Sequence, residues 1–404
     1  MRRDPCTPDT RARHESRGVS DRVTATEVID AARTATGLDD FGDTAWREGL
    51  DVLLDSVDRE ADLNDIGRLI LRTWIAERLE NRLRVLHWID RHPRVRDEQV
   101  VAPIVVVGML RTGSTLLCEL LAADPANRPL MKWEGLNSVP PPTSATFHTD
   151  ARIAAEVEKQ ESIYSMVPPL KAVHWEPGDG PTECVALLTQ SFRAQDWHGL
   201  FRIPSYLEWF HACDMAPAYE YHRRSLQLLQ SAAPGRWSLK APGHLLALDA
   251  LRSTYPDARI VVLHRDPMRT VPSSASLSVT SKPESLSHAT MGDYFPRLWL
   301  DVLGTMTDRL IEHRERRGDQ GFVDVHYSEL VADPVATVAR IYAAFGDALT
   351  PDAAAAMRAH LASHPQAKFG SHRYTPEELG LDPAAIRRRF ASYCDRFAIT
   401  PEDA

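Results

Sequence analysis

The chain has 404 residues, 43% of them apolar and 25% charged, an ordinary globular make-up that fits one large α/β domain or two smaller ones. A net charge of −9, from 47 Lys+Arg against 56 Asp+Glu, disfavours a general nucleic-acid or anionic-membrane binder. Five scattered cysteines without a CxxC read as reduced thiols of a cytoplasmic protein, and the 16 histidines show no metal-ligand spacing.

Residues 1–22 are polar and lack an apolar signal region, so a disordered tail is expected rather than a secretory leader. No apolar run approaches the roughly 20 residues that span a bilayer, so no integral membrane segment is expected. Residues 23–100 read as a helical N-terminal arm. Thr24 and Glu27 offer a capping pattern, and Leu63, Ile66, Leu69, Ile70, Trp74, Leu79, Leu83, Leu86 and Trp88 recur at helical spacing.

The most informative stretch follows. Ile104-Val-Val-Val107 is a β-branched run ending at Gly108, and Met109 to Gly113 form a tight turn into the helical pattern of Ser114 to Leu121. A strand feeding a helix in this way aims backbone N–H groups and the positive end of a helix dipole at one spot, which suits a phosphate or sulfate. Gly108 and Gly113 have the spacing of the nucleotide-binding pattern GxxxxGK(S/T), but Ser114 stands at the lysine position and the cation is Arg111. The loop keeps its anion-binding design and lacks the lysine that bridges the β- and γ-phosphates of ATP. A nucleotide donor other than ATP or GTP is implied.

From about residue 135 to 235 strand signals lapse. Pro140-Pro141-Pro142 and Pro168-Pro169 mark loops, and eight rings between Phe192 and Tyr221 crowd together. Rings so spaced are more often core than pocket, yet an insertion at the mouth of a parallel sheet is where an acceptor would bind. Further strands are read at Trp237–Lys240, Ile260–Leu263 and Phe322–Val325. The strand Ile260–Leu263 runs into His264-Arg265-Asp266-Pro267 and a helix, with Ser273 about two turns on. Alternating strands and helices predict an α/β fold, a P-loop-type parallel sheet flanked by helices, with its ligand at the strands' carboxyl ends.

Three segments together resemble the sulfotransferases that use 3′-phosphoadenosine-5′-phosphosulfate (PAPS), and they span Pro103 to about Phe345. They are Arg111-Thr112-Gly113-Ser114-Thr115, Arg265 with Ser273, and Tyr327-Ser-Glu-Leu330 before Pro334. The arginine in the first segment is similar to the bacterial branch that also resembles tyrosylprotein sulfotransferases. The resemblance implies a sulfotransferase domain over residues 103–395, with the 135–235 insertion on the acceptor side. It implies that the first segment holds the 5′-phosphosulfate, that Arg265 and Ser273 hold the 3′-phosphate, and that Tyr327 contacts the adenine. A tryptophan common in the family five residues after the loop cation is replaced here by Leu116.

Sulfuryl transfer needs a base for the acceptor hydroxyl, donors for the sulfuryl oxygens and a cation for the leaving phosphate. Arg111 suits the leaving phosphate and Lys240 the sulfuryl oxygens. For the base, the tyrosylprotein-like branch points to Glu134, whereas the aryl sulfotransferases point to His244, although its K-x-x-x-H spacing departs from their K-x-H. The singly charged sulfuryl group needs no metal, and no metal-binding carboxylate motif is apparent. Lys368-Phe-Gly370-Ser-His-Arg373-Tyr374 could form a loop closing over the 3′-phosphate. The expected reaction gives 3′-phosphoadenosine-5′-phosphate and a sulfated small molecule, the acceptor being a hydrophobic or aromatic alcohol. A P-loop kinase-like, ATP-dependent phosphotransferase and a non-catalytic nucleotide-binding protein of the same fold are the alternatives. Oligomeric state is not readable.

Overall fold

The computed structural model describes residues 22–281, 285–289, 291–364 and 375–402. The expected tail, except Arg22, and the Lys368–Tyr374 loop lie outside the described residues.

Five strands form one parallel sheet in the order β2-β3-β1-β4-β5: β1 Ile104–Gly108, β2 Asn127–Pro129, β3 Arg236–Lys240, β4 Arg259–His264 and β5 Phe322–His326. Four match the strands read from the sequence to within one or two residues. The edge strand β2 was not foreseen: three residues carry no alternation, and Pro129 is tolerated because it lies on an edge.

Side-chain alternation sends each strand into two cores. Val105 and Val107 of β1, Leu239 of β3, and Ile260 and Val262 of β4 join one large cluster. Ile104 and Val106, Val261 and Leu263, and Val323 and Val325 of β5 join a second, against Leu117, Leu120 and Leu121 and the helices after β5. The N-terminal helices Ala25–Thr36 (α1), Ala45–Ser56 (α2) and Asp65–Arg91 (α3) pack into the first cluster. Thr24 and Glu27 form the expected capping box on α1.

The insertion is helical, chiefly Ala151–Met166, Pro168–Val173, Pro204–Ala212 and Ala216–Gln230. Pro168-Pro169 does not mark a loop but opens a helix, because a first-turn residue needs no N–H donor. The crowded rings are core: Phe192, Trp197, Phe201, Tyr206, Phe210, Tyr219 and Tyr221 are all buried. Their abundance therefore does not itself describe an acceptor pocket.

The connection out of β1 runs to β2 on one side, and that out of the neighbouring β4 runs to β5 on the other. The crevice at the carboxyl end of β1 is thus a topological switch point, where ligands of such sheets bind.

Candidate active site

The turn after β1 is built from backbone conformations that most residues avoid. Gly108, Arg111 and Gly113 have φ of 153°, 67° and 87°. A Cβ on Gly108 would lie 2.6 Å from the Leu263 carbonyl oxygen, and one on Gly113 would lie 3.0 Å from the Tyr327 ring. Arg111 has no such excuse, and a non-glycine held at positive φ stores strain of the kind that clusters at functional sites. Thr112 Oγ1 donates to the Met109 carbonyl (2.8 Å) and closes the turn. The helix Ser114–Ala123 (α4) then begins, and its first-turn N–H groups face the end of the sheet. Gly113→Ala is expected to cost about 1–2 kcal/mol through its left-handed backbone, with weaker nucleotide binding. Denaturant melts with and without 3′-phosphoadenosine-5′-phosphate would check this.

Across the switch point, the second expected segment meets the first. Arg111 Nε donates to Ser273 Oγ (3.1 Å), and Arg265 Nη1 donates to the Arg111 carbonyl (2.9 Å). The Arg265 guanidinium carbon stands 3.7 Å from the Tyr327 ring centroid, a cation–π stack. Arg111, Gly113, Arg265, Ser273 and Tyr327, drawn from three segments, therefore meet in one place. Arg265 also holds the Glu402 carboxylate, at 3.0–3.2 Å from Nε and 3.0 Å from Nη2.

At the end of β3, Lys240 Nζ lies 2.9 Å from Glu183 Oε1. Burial opposes the ammonium charge, but Glu183, Cys118 and Glu176 around it hold Lys240 above its ordinary range. Glu183 is delivered by residues 180–184, which run along the sheet edge. Lys132 N–H donates to the Gly180 carbonyl (2.9 Å), Thr182 N–H to Leu130 (2.8 Å) and Cys184 N–H to Lys240 (2.8 Å). The same run holds Glu176, which accepts from Thr182 Oγ1 (2.8 Å) and pairs with Lys132. Against burial, Lys132, His174 and Lys240 draw the Glu176 carboxyl down to about 2.

His174 belongs to this group. It sits within electrostatic reach of Glu176, Arg111, Glu183 and Lys240. Burial lowers its pKa, the carboxylates oppose this and the cations add to it; the net direction is down, so the ring is neutral at pH 7. Asp196 is within electrostatic reach of Glu183, Glu176 and Lys132 of the same group. Its side chain is solvent-accessible, yet the surrounding protein and then Glu183 push its carboxyl up to about 7, against Arg78. None of His174, Glu176, Glu183 and Asp196 was singled out from sequence. The available signal was a polar run, His174-Trp-Glu176-Pro-Gly-Asp-Gly-Pro-Thr-Glu183, set in a proline- and glycine-rich loop.

The two residues expected as bases are placed elsewhere. Glu134 is fully buried, and both its oxygens accept from Arg128 (2.8 Å each), one of them also from the Met131 N–H. Arg128 is itself packed over the rings of Phe147 and Trp237. A carboxylate so engaged, fully buried and paired with an arginine, anchors the local structure and is poorly placed to take an acceptor's proton. His244 is also fully buried. Its Nδ1 is 2.7 Å from Tyr219 Oη, and burial pushes its pKa down to about 3. Its ring packs edge-on against His222, whose Nδ1 is 2.7 Å from Tyr255 Oη, so it lies in an interior cluster of rings.

A glycine-bearing anion loop at a parallel-sheet switch point, with a strand-end lysine and a second arginine, is the arrangement of a group-transfer enzyme. The sulfotransferase family model matches residues 103–351, and the chain belongs to that family. Among solved structures, sulfotransferase STF9 from Mycobacterium avium is 35% identical with a TM-score of 0.88, over 96% of this chain and all of that one. Sulfotransferase STF1 from Mycobacterium tuberculosis H37Rv is 33% identical with a TM-score of 0.83, over 92% and 99%. The omega-hydroxy-beta-dihydromenaquinone-9 sulfotransferases Stf3 of Mycobacterium bovis and Mycobacterium tuberculosis are 27% identical over 76% of this chain and 79% of theirs. The protein is a sulfotransferase, which removes the phosphotransferase and non-catalytic alternatives. Among the described residues no helix is long and apolar enough to cross a membrane, and no group of three or more His, Cys, Asp or Glu is placed to hold a metal ion.

Proposed function

We propose that this sulfotransferase moves a sulfuryl group from PAPS to the hydroxyl of a small, largely apolar molecule, with His174 as the base. One observation carries the reading. The charges of Arg111 in the loop after β1, of Lys240 at the end of β3 and of its partner Glu183 all act on His174, which supports one reaction centre drawn from three stretches of chain.

PAPS supplies an activated sulfuryl group on a 5′-phosphate, and this chain has a group for each charge that develops. Arg111 and the first-turn amides of α4 neutralise the 5′-phosphate as it leaves. Lys240 meets the sulfuryl oxygens, and Glu183 keeps its ammonium in place and charged. Half-buried His174, its pKa lowered by the protein around it, takes the acceptor's proton, and the neighbouring Glu176 carboxylate stabilises the imidazolium that results. Arg265, stacked on Tyr327, takes the 3′-phosphate. An apolar alcohol is favoured as acceptor by the relative that acts on a menaquinone derivative.

Donor identity is tested by comparing 3′-phosphoadenosine-5′-phosphate with AMP. Arg265→Ala is expected to weaken the first by about ten- to a hundredfold, the loss of a charge-assisted bond of about 1.5–3 kcal/mol, and to leave AMP nearly unchanged. Equal losses by calorimetry would remove Arg265 from the 3′-phosphate and count against PAPS as donor.

A further inference from the structure

Arg265 does not wait for the donor with its guanidinium edge open. The chain beyond helix Ala391–Arg396 is fastened across the end of β4 at two points. Phe397 stacks on His264 with ring centroids 4.4 Å apart. Five residues on, Glu402 sets its carboxylate against Arg265 Nε and Nη2 at 3.0–3.2 Å, while its N–H donates to Asp266 Oδ2 (2.9 Å). The remaining terminal nitrogen, Nη1, is spent on the Arg111 carbonyl (2.9 Å), and one face of the guanidinium is covered by Tyr327. The Nε/Nη2 edge, one of the two guanidinium edges suited to bidentate phosphate binding, is therefore taken by a carboxylate, a planar anion of similar reach.

We infer that Glu402 is a built-in competitor for the donor's 3′-phosphate, a carboxylate latch that nucleotide binding must displace. The inference rests on the proposed role of Arg265. Its physical content is a competition of two anions for one cation. The latch is tethered, so it lowers apparent donor affinity by the fraction of time it is closed, with no effect on ligands that lack a 3′-phosphate. Arg265 and Glu402 are only partly buried, at 21% and 28% side-chain exposure, so the pair is strong enough to compete and weak enough to yield. Once displaced, the Glu402 N–H also loses its tie to Asp266 if the segment swings away, so donor binding and release of this segment are coupled.

The test measures binding of 3′-phosphoadenosine-5′-phosphate and of AMP to the whole protein and to Glu402→Gln and Glu402→Ala. Removing one exposed-to-half-buried charge pair should tighten the 3′-phosphorylated ligand about two- to tenfold in both variants and leave AMP unchanged. Hydrogen exchange gives a second readout: in the unaltered protein, amides of residues 397–402 should exchange faster when 3′-phosphoadenosine-5′-phosphate is bound. Unchanged or weaker binding in both variants would overturn the latch and make Glu402 a positioning partner that holds Arg265 for the phosphate. Slower exchange of 397–402 on binding would overturn it equally. Arg265→Ala separates the two levels. If that variant still distinguishes 3′-phosphoadenosine-5′-phosphate from AMP as the unaltered protein does, the role of Arg265 has failed and the latch falls with it. If discrimination is lost in Arg265→Ala while the Glu402 variants bind as before, the latch alone has failed.

Discussion

His174→Asn should lower kcat by about 10²–10⁴-fold while 3′-phosphoadenosine-5′-phosphate binds nearly as before. Asparagine keeps a polar group of similar reach but cannot accept and hold a proton, so the loss should fall on the chemical step. The pH profile gives the second reading. Burial lowers the His174 pKa, so the ring stays neutral below the ordinary histidine value of about 6.5. The acid limb of kcat/KM should therefore lie below 6.5 in the unaltered enzyme and disappear, at a low plateau, in His174→Asn. A kcat within tenfold of normal would take the base away from His174. Asp196, whose carboxyl rises to about 7, would be the next residue to test.

Glu134→Gln should behave in the opposite way, as a stability variant. The change leaves the buried Arg128 guanidinium without its carboxylate, although Arg128 still donates to the Ala233, Pro129 and Leu229 carbonyls. Breaking one side of a buried ion pair costs about 3–5 kcal/mol, because the remaining charge stays desolvated. Chemical denaturation should show that loss, whereas kcat measured on the folded fraction should stay within a few-fold of normal. A Glu134→Gln protein as stable as the unaltered chain but catalytically dead would restore Glu134 as the base. The paired variants thus separate a residue that holds the fold from one that moves a proton.

What the sequence made legible was local. The turn after β1 and the strand end with Arg265 are each written in fewer than 15 consecutive residues, where apolar pattern, glycine spacing and a helix start coincide. Partnerships across the chain were not legible. Glu183 reaches Lys240 across 57 residues, because a backbone ladder lays residues 180–184 along the sheet edge, and no periodicity announces that ladder. The ion pair of Glu134 was hidden for a related reason. The distance of Glu134 from the loop arginine suited a base, but its partner Arg128 lies only six residues away, and whether two such residues pair or diverge depends on the turn between them. The aromatic run was read correctly as chemistry that favours a core, and the polar loop from His174 to Glu183 passed unnoticed because it matched no named motif.

The way β1 is packed has a consequence for how the protein holds together. The family match begins at residue 103, as though the helices before it were an appendage. Yet Val105 and Val107 are buried in the same continuous cluster as Val28, Leu50, Leu71 and Leu83, and that cluster runs on to Phe390 and Phe397. Taking away α1 to α3 would uncover apolar surface in the same cluster that buries one face of the strand carrying the anion loop, at about 25 cal/mol for each Å² laid bare. The arm is thus one wall of the reaction centre's foundation. Cooperative unfolding has no seam at residue 103, and a substitution deep in the arm can disturb the loop at Arg111 without ever touching it.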